Sequence, residues 1–147
     1  MDNADILLIE DNRHDMEMIV EALRELEASD HVSSFRDGAA ALDYFFGPEG
    51  CLRKEPIRLP RLILLDLKLP KVGGLDILKR IKSDERTRLI PTIVFTSSNE
   101  SRDRVECYLS GANSYVVKPL DADSFSQHIA DIWSYWTEMN RVAYTEQ

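Results

Sequence analysis

A doubly wound α/β fold with a parallel sheet of five strands is predicted by two features of this sequence. Short apolar runs recur along the chain, and stretches with helically spaced apolar residues separate them. Apolar runs of this length are typical of parallel strands that helices cover on both faces. The alternation predicts right-handed crossovers and favours the strand order 2-1-3-4-5.

The predicted strands are apolar runs of about four residues, of which the second is the weakest. In chain order they are Ile6–Ile9, Val32–Phe35, Leu62–Leu65, Thr92–Phe95 and Ser114–Val117. Because parallel strands end at a common edge of the sheet, the residues that follow these runs are expected to lie near one another.

Five helices are predicted from apolar residues three or four positions apart. They cover about Asp15–Glu27, the residues after Gly38, the residues after Gly74, Ser101–Ser110 and about 121–142. Gly111 is expected to end the fourth helix in a left-handed conformation. The last helix carries a predicted core stripe of Phe125, Ile129, Ile132, Trp136 and Met139.

Size and composition predict one soluble domain over residues 1–147. The chain is 44% hydrophobic and 30% charged, and its net charge of −8 disfavours binding to nucleic acid. Neither a signal peptide nor an apolar run of membrane-spanning length is recognisable, so we expect a cytoplasmic protein without membrane contact. Cys51 and Cys107 are expected to be reduced thiols.

Polar side chains directly follow four of the predicted strands. Glu10 and Asp11 follow the first, Asp66 the third, Thr96 the fourth and Lys118 the fifth. Ligands of open parallel sheets bind outside the carboxyl ends of the strands, where the strand order reverses. The sequence therefore predicts that three carboxylates, one hydroxyl and one ammonium meet at a single site.

This set of side chains suits a divalent cation and a phosphoryl group. Clustered carboxylates repel one another, and Mg²⁺, which prefers oxygen ligands, relieves that repulsion. Asp66 is the candidate nucleophile, because a carboxylate can attack phosphorus and form an acyl phosphate. Lys118 can add positive charge and Thr96 a hydroxyl. No cluster of His and Cys has the spacing of a zinc site.

Four segments together resemble the receiver domain of two-component response regulators. They are Ile6–Asn12, Leu64–Leu75, Pro91–Ser98 and Gly111–Pro119. The resemblance covers nearly the whole chain and implies a flavodoxin-like fold. It implies that Asp66 accepts a phosphoryl group from a sensor histidine kinase, and that catalysis is confined to the chain's own phosphorylation and dephosphorylation.

The resemblance also implies roles for the residues around Asp66. It implies Mg²⁺ held by Glu10, Asp11, Asp66 and the backbone carbonyl of Lys68. Lys118 is expected to pair with the phosphoryl group, Thr96 to bond it, and Tyr115 to follow Thr96 inward as a switch.

Three features resemble the small regulators that are paired with cyanobacterial and bacterial phytochrome kinases. Glu10 stands where the commonest family pattern has aspartate, an insertion loop spans 47–60, and the last helix is long. We therefore expect a phytochrome-type histidine kinase as the partner. The loop is expected either to recognise a partner or to be a tolerated surface insertion.

Aromatic residues near the end of the chain predict a second contact surface. Trp133, Tyr135 and Tyr144 lie off the core stripe, and exposed aromatic patches often mark interfaces. A partner or homodimer surface is one interpretation, and packing back onto the domain is the other. Since too few residues follow the last strand for a second domain, we expect output through protein contact or phosphate relay.

Three other classes of protein compete with this interpretation. A phosphate-independent interaction or dimerisation module would not need Asp66, Thr96 and Lys118, yet all three are present. In a flavodoxin-type cofactor protein, the acidic segment Glu10–Arg13 would repel the FMN phosphate. In an aspartate-nucleophile phosphatase, Lys68 would stand where that chemistry needs a second acid.

Overall fold

The predicted parallel sheet is confirmed in the computed structural model, which describes residues 5–47 and 59–144. Its five strands lie in the order β2-β1-β3-β4-β5, and every neighbouring pair is parallel. The strands are β1 (Ile6–Ile9), β2 (Val32–Phe35), β3 (Leu62–Leu65), β4 (Thr92–Thr96) and β5 (Ser114–Val117). Only β4 departs from its predicted bounds, by one residue.

The described residues also contain five α-helices that alternate with the strands. They are α1 (Arg13–Glu25), α2 (Gly38–Phe46), α3 (Gly74–Ser83), α4 (Ser101–Leu109) and α5 (Ala122–Trp133). Asn12, Asp37 and Asp121 cap α1, α2 and α5, each accepting the backbone N–H of the residue three positions on. A short 3₁₀ turn, Ser29–His31, precedes β2.

The sheet separates two hydrophobic clusters. Leu7 and Ile9 of β1 point to the cluster beneath α2, α3 and α4, whereas Ile6 and Leu8 point to the cluster beneath α1 and α5. Alternate residues of a strand face opposite sides of a sheet, so a run buried at every position needs helices on both faces. The wholly apolar β1 and β3 meet that condition.

The first helix begins and ends two residues earlier than the sequence predicts. Asn12 fixes its start because its side chain accepts the N–H of Asp15 at 2.9 Å. The helix stops at Glu25, and Glu27 adopts a φ of 57°. The apolar spacing that continues to Leu26 therefore places the end of the helix two residues too late, although the observed length of 13 residues agrees with the prediction.

The last helix is extended as predicted, but it is α-helical only to Trp133 and ends at Met139 instead of near 142. The chain continues as a π-helical segment, Ser134–Met139, and Asn140 is extended. The N–H of Asn140 donates to the carbonyl of Tyr135, five residues back, at 2.6 Å. Because the hydrogen bonds of a π-helix span five residues instead of four, the side chains are turned relative to an α-helix. Thr137 is buried and Met139 is 68% exposed, so Met139 does not belong to the predicted stripe.

The end of α4 and the state of Cys107 agree with the predictions. Gly111 follows α4 with a φ of 104°, as its role at the helix end predicts. Cys107 is a buried free thiol. Most of the loop 47–60 and Cys51 lie outside the described residues. Among the helices described, none is long and apolar enough to cross a membrane.

Candidate functional site

Sheet register places Glu10 and Asp66 side by side. Ile9 pairs with Leu65, so the next residues of β1 and β3 leave the sheet together. The backbone N–H of Glu10 donates to the carbonyl of Phe35 at 3.0 Å, and the backbone N–H of Asp66 donates to the carbonyl of Ile9 at 3.0 Å. Both carboxylates therefore stand on backbone that the sheet holds in place.

Lys118 brings a buried ammonium group to the same edge. Its backbone N–H donates to the carbonyl of Thr96 at 2.7 Å, extending the pairing of β4 with β5 by one residue. Its side chain is only 6% exposed. Nζ donates to Glu10 Oε1 at 2.7 Å, Asp15 Oδ2 at 2.7 Å and Asp66 Oδ2 at 3.2 Å. A buried ammonium needs such partners, since an unpaired buried charge is costly.

Backbone amides hold the remaining oxygens of the two buried carboxylates. Glu10 Oε2 accepts the N–H of Asn12 at 3.0 Å, and Asp66 Oδ1 accepts the N–H of Leu67 at 2.7 Å. Gly74, the first residue of α3, donates its N–H to the carbonyl of Leu67 at 3.0 Å. The start of α3 is thus fastened to the backbone that carries Asp66.

Excess negative charge dominates the electrostatics of this cluster, because three carboxylates share one ammonium. Burial raises the pKa of Glu10 to about 7, the hydrogen bond from Lys118 opposes that rise, and the charge of Asp66 adds to it. Burial alone would lower the pKa of Lys118, but the hydrogen bonds to Asp15 and Glu10 outweigh it and raise the pKa. Lys118 therefore stays charged at neutral pH.

We expect the stability of the divalent-free protein to fall as pH rises through the range in which Glu10 ionises. The folded-state pKa of Glu10 is raised from 4.5 to about 7, so between these values the folded state binds more protons than the unfolded state. The free energy of unfolding then decreases with pH. Urea unfolding from pH 4.5 to 7 measures this effect, and Glu10→Gln should remove it. A parallel pH dependence in both proteins would contradict the prediction.

Ser98 connects the two residues predicted to act as a switch. Thr96 is fully buried, and its hydroxyl accepts the N–H of Ser98 at 3.3 Å. The Tyr115 hydroxyl donates to the carbonyl of Ser98 at 2.9 Å. Ser98 Oγ donates to Asp103 Oδ2 at 2.5 Å, which ties the loop to the first turn of α4. Two hydrogen bonds of the Ser98 backbone therefore connect the Thr96 hydroxyl to the Tyr115 hydroxyl.

The predicted metal ligands are oxygen atoms, which suit a hard cation, but their side chains are not arranged as a preformed coordination site among the described residues. Asp11 and Lys68 are exposed just beyond β1 and β3. Across residues 5–47 and 59–144, no three acidic, His or Cys side chains already surround a common metal position. Glu10 and Asp66 converge on Lys118 instead. An ion bound by these oxygens would therefore share them with the ammonium.

Asp15 is the site residue that the sequence reasoning missed. It lies in the first turn of α1, on the helix that follows β1, and contacts Lys118 as closely as Glu10 does. An acid in the first turn of a helix is usually explained by the helix dipole. The available signal was its position, because a helix that starts just after β1 begins at the same edge of the sheet.

The aromatic residues of the predicted interface differ in exposure. Trp133 is half-buried against the cluster beneath α1 and α5, and its ring lies 6.3 Å from that of His31. Tyr144 packs against the other cluster, and its hydroxyl donates to the carbonyl of Pro60. Tyr135 is 47% exposed. A partner or homodimer surface here stays a prediction, and sedimentation with and without phosphorylation would test the homodimer.

Comparisons with known proteins show which family this sequence belongs to. The family model described as the response regulator receiver domain matches residues 6–130. The probable methanogenesis regulatory protein FilR2 of Methanothrix harundinacea is 41% identical over 136 residues, which cover 92% of this chain and 85% of FilR2.

Two solved structures share the fold over almost their whole length. The phosphorylated cyanobacterial phytochrome response regulator RcpA has a TM-score of 0.83 at 33% identity, with 95% of this chain and 97% of RcpA covered. The Mn²⁺-bound form of the response regulator Rcp1, a protein of Synechocystis, has a TM-score of 0.81 at 30% identity, with 95% and 98% covered. The family match spans most of the sequence, and the chain therefore belongs to the response regulator receiver domain family.

Proposed function

We propose that this chain is a single-domain response regulator in which Asp66 accepts a phosphoryl group from the phosphohistidine of a sensor histidine kinase. The observation that carries the proposal is the pairing of a strand-end carboxylate with a buried ammonium, Asp66 Oδ2 to Lys118 Nζ at 3.2 Å. This pairing sets a nucleophile and a positive charge beside one another, as transfer of an anionic group requires.

In the proposed reaction, an Asp66 oxygen attacks phosphorus, the new O–P bond forms, and the P–N bond to the kinase histidine breaks. Lys118 then pairs with a phosphoryl oxygen, and Thr96 donates its hydroxyl to another. A divalent cation, proposed to be Mg²⁺, would be held by Glu10, Asp11, Asp66 and the carbonyl of Lys68. When bound, it would offset the negative charge of the phosphoryl group.

We infer that the kinase is of the phytochrome type. The support is the likeness to RcpA, which is described as a phytochrome response regulator, over 95% of this chain. Comparing the rates of phosphoryl transfer from a phytochrome-type kinase and from an unrelated kinase tests this partner. Equal rates from the two kinases would contradict it.

The proposed switch runs from Thr96 through Ser98 to Tyr115. If Thr96 turns its hydroxyl to the phosphoryl group, the N–H of Ser98 loses its acceptor and the loop that holds the Tyr115 hydroxyl must rearrange. The face formed by α4 and β5 then changes, as a population shift that the phosphoryl group drives. A Tyr115 ring whose NMR signals stay unchanged on phosphorylation would exclude this route.

Phosphorylation by acetyl phosphate is expected to add one phosphoryl group to the native chain and none to Asp66→Asn. The amide resembles the carboxylate in shape but is a poor nucleophile. Intact-mass measurement gives the result, with and without Mg²⁺. Asp43→Asn, which changes an exposed aspartate of α2, is the matched control and should react like the native chain.

Two results would contradict the proposal. Phosphorylation of Asp66→Asn to the level of Asp43→Asn would place the acceptor elsewhere. If the native chain accepts no phosphoryl group from acetyl phosphate or from a phosphorylated kinase, the phosphate-independent interaction module becomes the better description.

A further inference from the structure

The ammonium of Lys118 already has as many partners as it can serve. An ammonium carries three N–H donors, and here they reach Glu10, Asp15 and Asp66. An oxygen of a phosphoryl group on Asp66 would be a further acceptor. Because no donor is left over, pairing of Lys118 with that group requires one of the present carboxylates to give way.

Burial indicates which carboxylate is released at the lowest cost. The Glu10 side chain is 1% exposed, so water cannot take the place of the ammonium beside it. Asp66 becomes an uncharged acyl group when it is phosphorylated, but its carbonyl oxygen stays next to Nζ, so the phosphoryl oxygens are added acceptors. Asp15 is different, because its side chain is 20% exposed and water can replace the ammonium.

The position of Asp15 in α1 also favours its release. Asp15 lies in the first turn of the helix, where the partial positive charge of the N-terminus stabilises a carboxylate that has lost another partner. Its backbone N–H remains bonded to the side chain of Asn12 at 2.9 Å, which does not depend on Lys118. Loss of the Asp15–Lys118 ion pair therefore leaves the hydrogen bond that caps α1 in place.

We propose that Asp15 is a positioning residue that holds the Lys118 ammonium while Asp66 is unmodified and releases it when a phosphoryl group arrives. This inference rests on the proposed function of Asp66. It assigns Asp15 a role opposed to phosphoryl binding, because the Asp15–Lys118 ion pair exists only in the unmodified state. Removing the Asp15 charge should thus make the site bind a phosphoryl group more tightly.

Beryllofluoride mimics the phosphoryl group. Titration with beryllofluoride in a fixed excess of MgCl₂ tests whether removing the Asp15 charge tightens binding. With bound fluoride followed by ¹⁹F NMR, Asp15→Asn is expected to bind about three- to fivefold more tightly than the native chain, as loss of one partly exposed ion pair implies. Asp15→Glu keeps the charge and should return the affinity toward the native value.

Glu17→Gln is the matched control for net charge. Glu17 lies on the same helix two residues further on, its side chain is 65% exposed, and it pairs with Arg13 at 3.4 Å rather than with Lys118. Its replacement should leave the affinity unchanged. In divalent-free protein, the side-chain NMR signals of Lys118 should move in Asp15→Asn and stay in place in Glu17→Gln.

Several outcomes would overturn the inference. Unchanged or weaker binding by Asp15→Asn would show that Asp15 does not compete for Lys118, and equal tightening by Glu17→Gln would assign the effect to net charge. A native chain that binds no beryllofluoride and accepts no phosphoryl group would remove the proposed function together with this inference. If the native chain binds and Asp15→Asn gains nothing, the role of Asp15 alone is wrong.

Discussion

Replacing Lys118 by methionine is expected to lower the free energy of unfolding of the divalent-free protein by about 3–5 kcal/mol, the usual cost of removing one partner of a buried ion pair. The methionine keeps most of the apolar stem but removes the only ammonium that contacts Glu10, Asp15 and Asp66 within the described residues. Glu10 and Asp66 are both buried, so water cannot replace that charge freely.

Urea unfolding at neutral pH without divalent ions measures this loss. Lys79→Met, which changes an exposed lysine of α3, is the matched control and should unfold almost as the native chain does. Adding Glu10→Gln to Lys118→Met should recover part of the lost stability by reducing the uncompensated charge. Unfolding of Lys118→Met at the same urea concentration as Lys79→Met would show that the ammonium does not hold the cluster together.

MgCl₂ should restore part of the stability of Lys118→Met. A ligand that binds only the folded state stabilises it more the more tightly it binds, and the carboxylates freed from Lys118 are oxygen ligands that Mg²⁺ prefers. We therefore expect a larger gain from MgCl₂ in Lys118→Met than in the native chain, where Glu10 and Asp66 also serve the ammonium. An equal gain in the two proteins would contradict shared use of these oxygens.

The strands were predictable because each depends on a local apolar pattern, and the order of the sheet was predictable because the alternation of strands and helices favours one topology. The apolar runs at Ile6–Ile9 and Leu62–Leu65 can be satisfied only between two helical layers, and both are buried throughout. Once β1 and β3 are neighbours, parallel register brings Glu10 beside Asp66. Three residues of the site, Glu10, Asp66 and Lys118, are thus placed by strand ends alone.

The other features could not be read from spacing because side-chain contacts across the fold decide them. Whether Asp15 reaches Lys118 depends on the tilt of α1 over the sheet and on the rotamer of a residue 103 positions away. The π-helical segment has a similar origin. Arg61, which directly precedes β3, donates to the carbonyl of Thr137, and the Thr137 hydroxyl donates to Trp133 in the preceding turn. Neither bond has a signature in the apolar pattern of the last helix.

Alanine at Gly74 is expected to destabilise the protein by about 3 kcal/mol, at the upper end of the usual cost of overpacking. A Cβ at this position would lie 2.2 Å from the carbonyl oxygen of Asp66 and 2.6 Å from the Cα of Leu67. Both neighbours are backbone atoms, so no flexible side chain can move aside. Either α3 or the residue that carries the candidate phosphoryl acceptor must shift.

Gly73→Ala gives a control one residue away. A Cβ at Gly73 would have no neighbour within 4 Å, and its φ of −67° and ψ of 156° suit alanine. The free energy of unfolding of Gly73→Ala should differ from that of the native chain by no more than about 1 kcal/mol in either direction. Alanine is a poorer N-cap than glycine, but it lowers the entropy of the unfolded chain, and the two effects oppose each other.

Urea unfolding and the rate of phosphorylation by acetyl phosphate should be measured on both glycine variants. Because the clash at Gly74 falls on the backbone of Asp66, Gly74→Ala should slow phosphorylation even under conditions where the variant is fully folded. Gly73→Ala should react at the native rate. Equal stability and equal rates in the two variants would mean that α3 can move away from Asp66 at little cost, and the close packing behind the acceptor would then have no bearing on its reactivity.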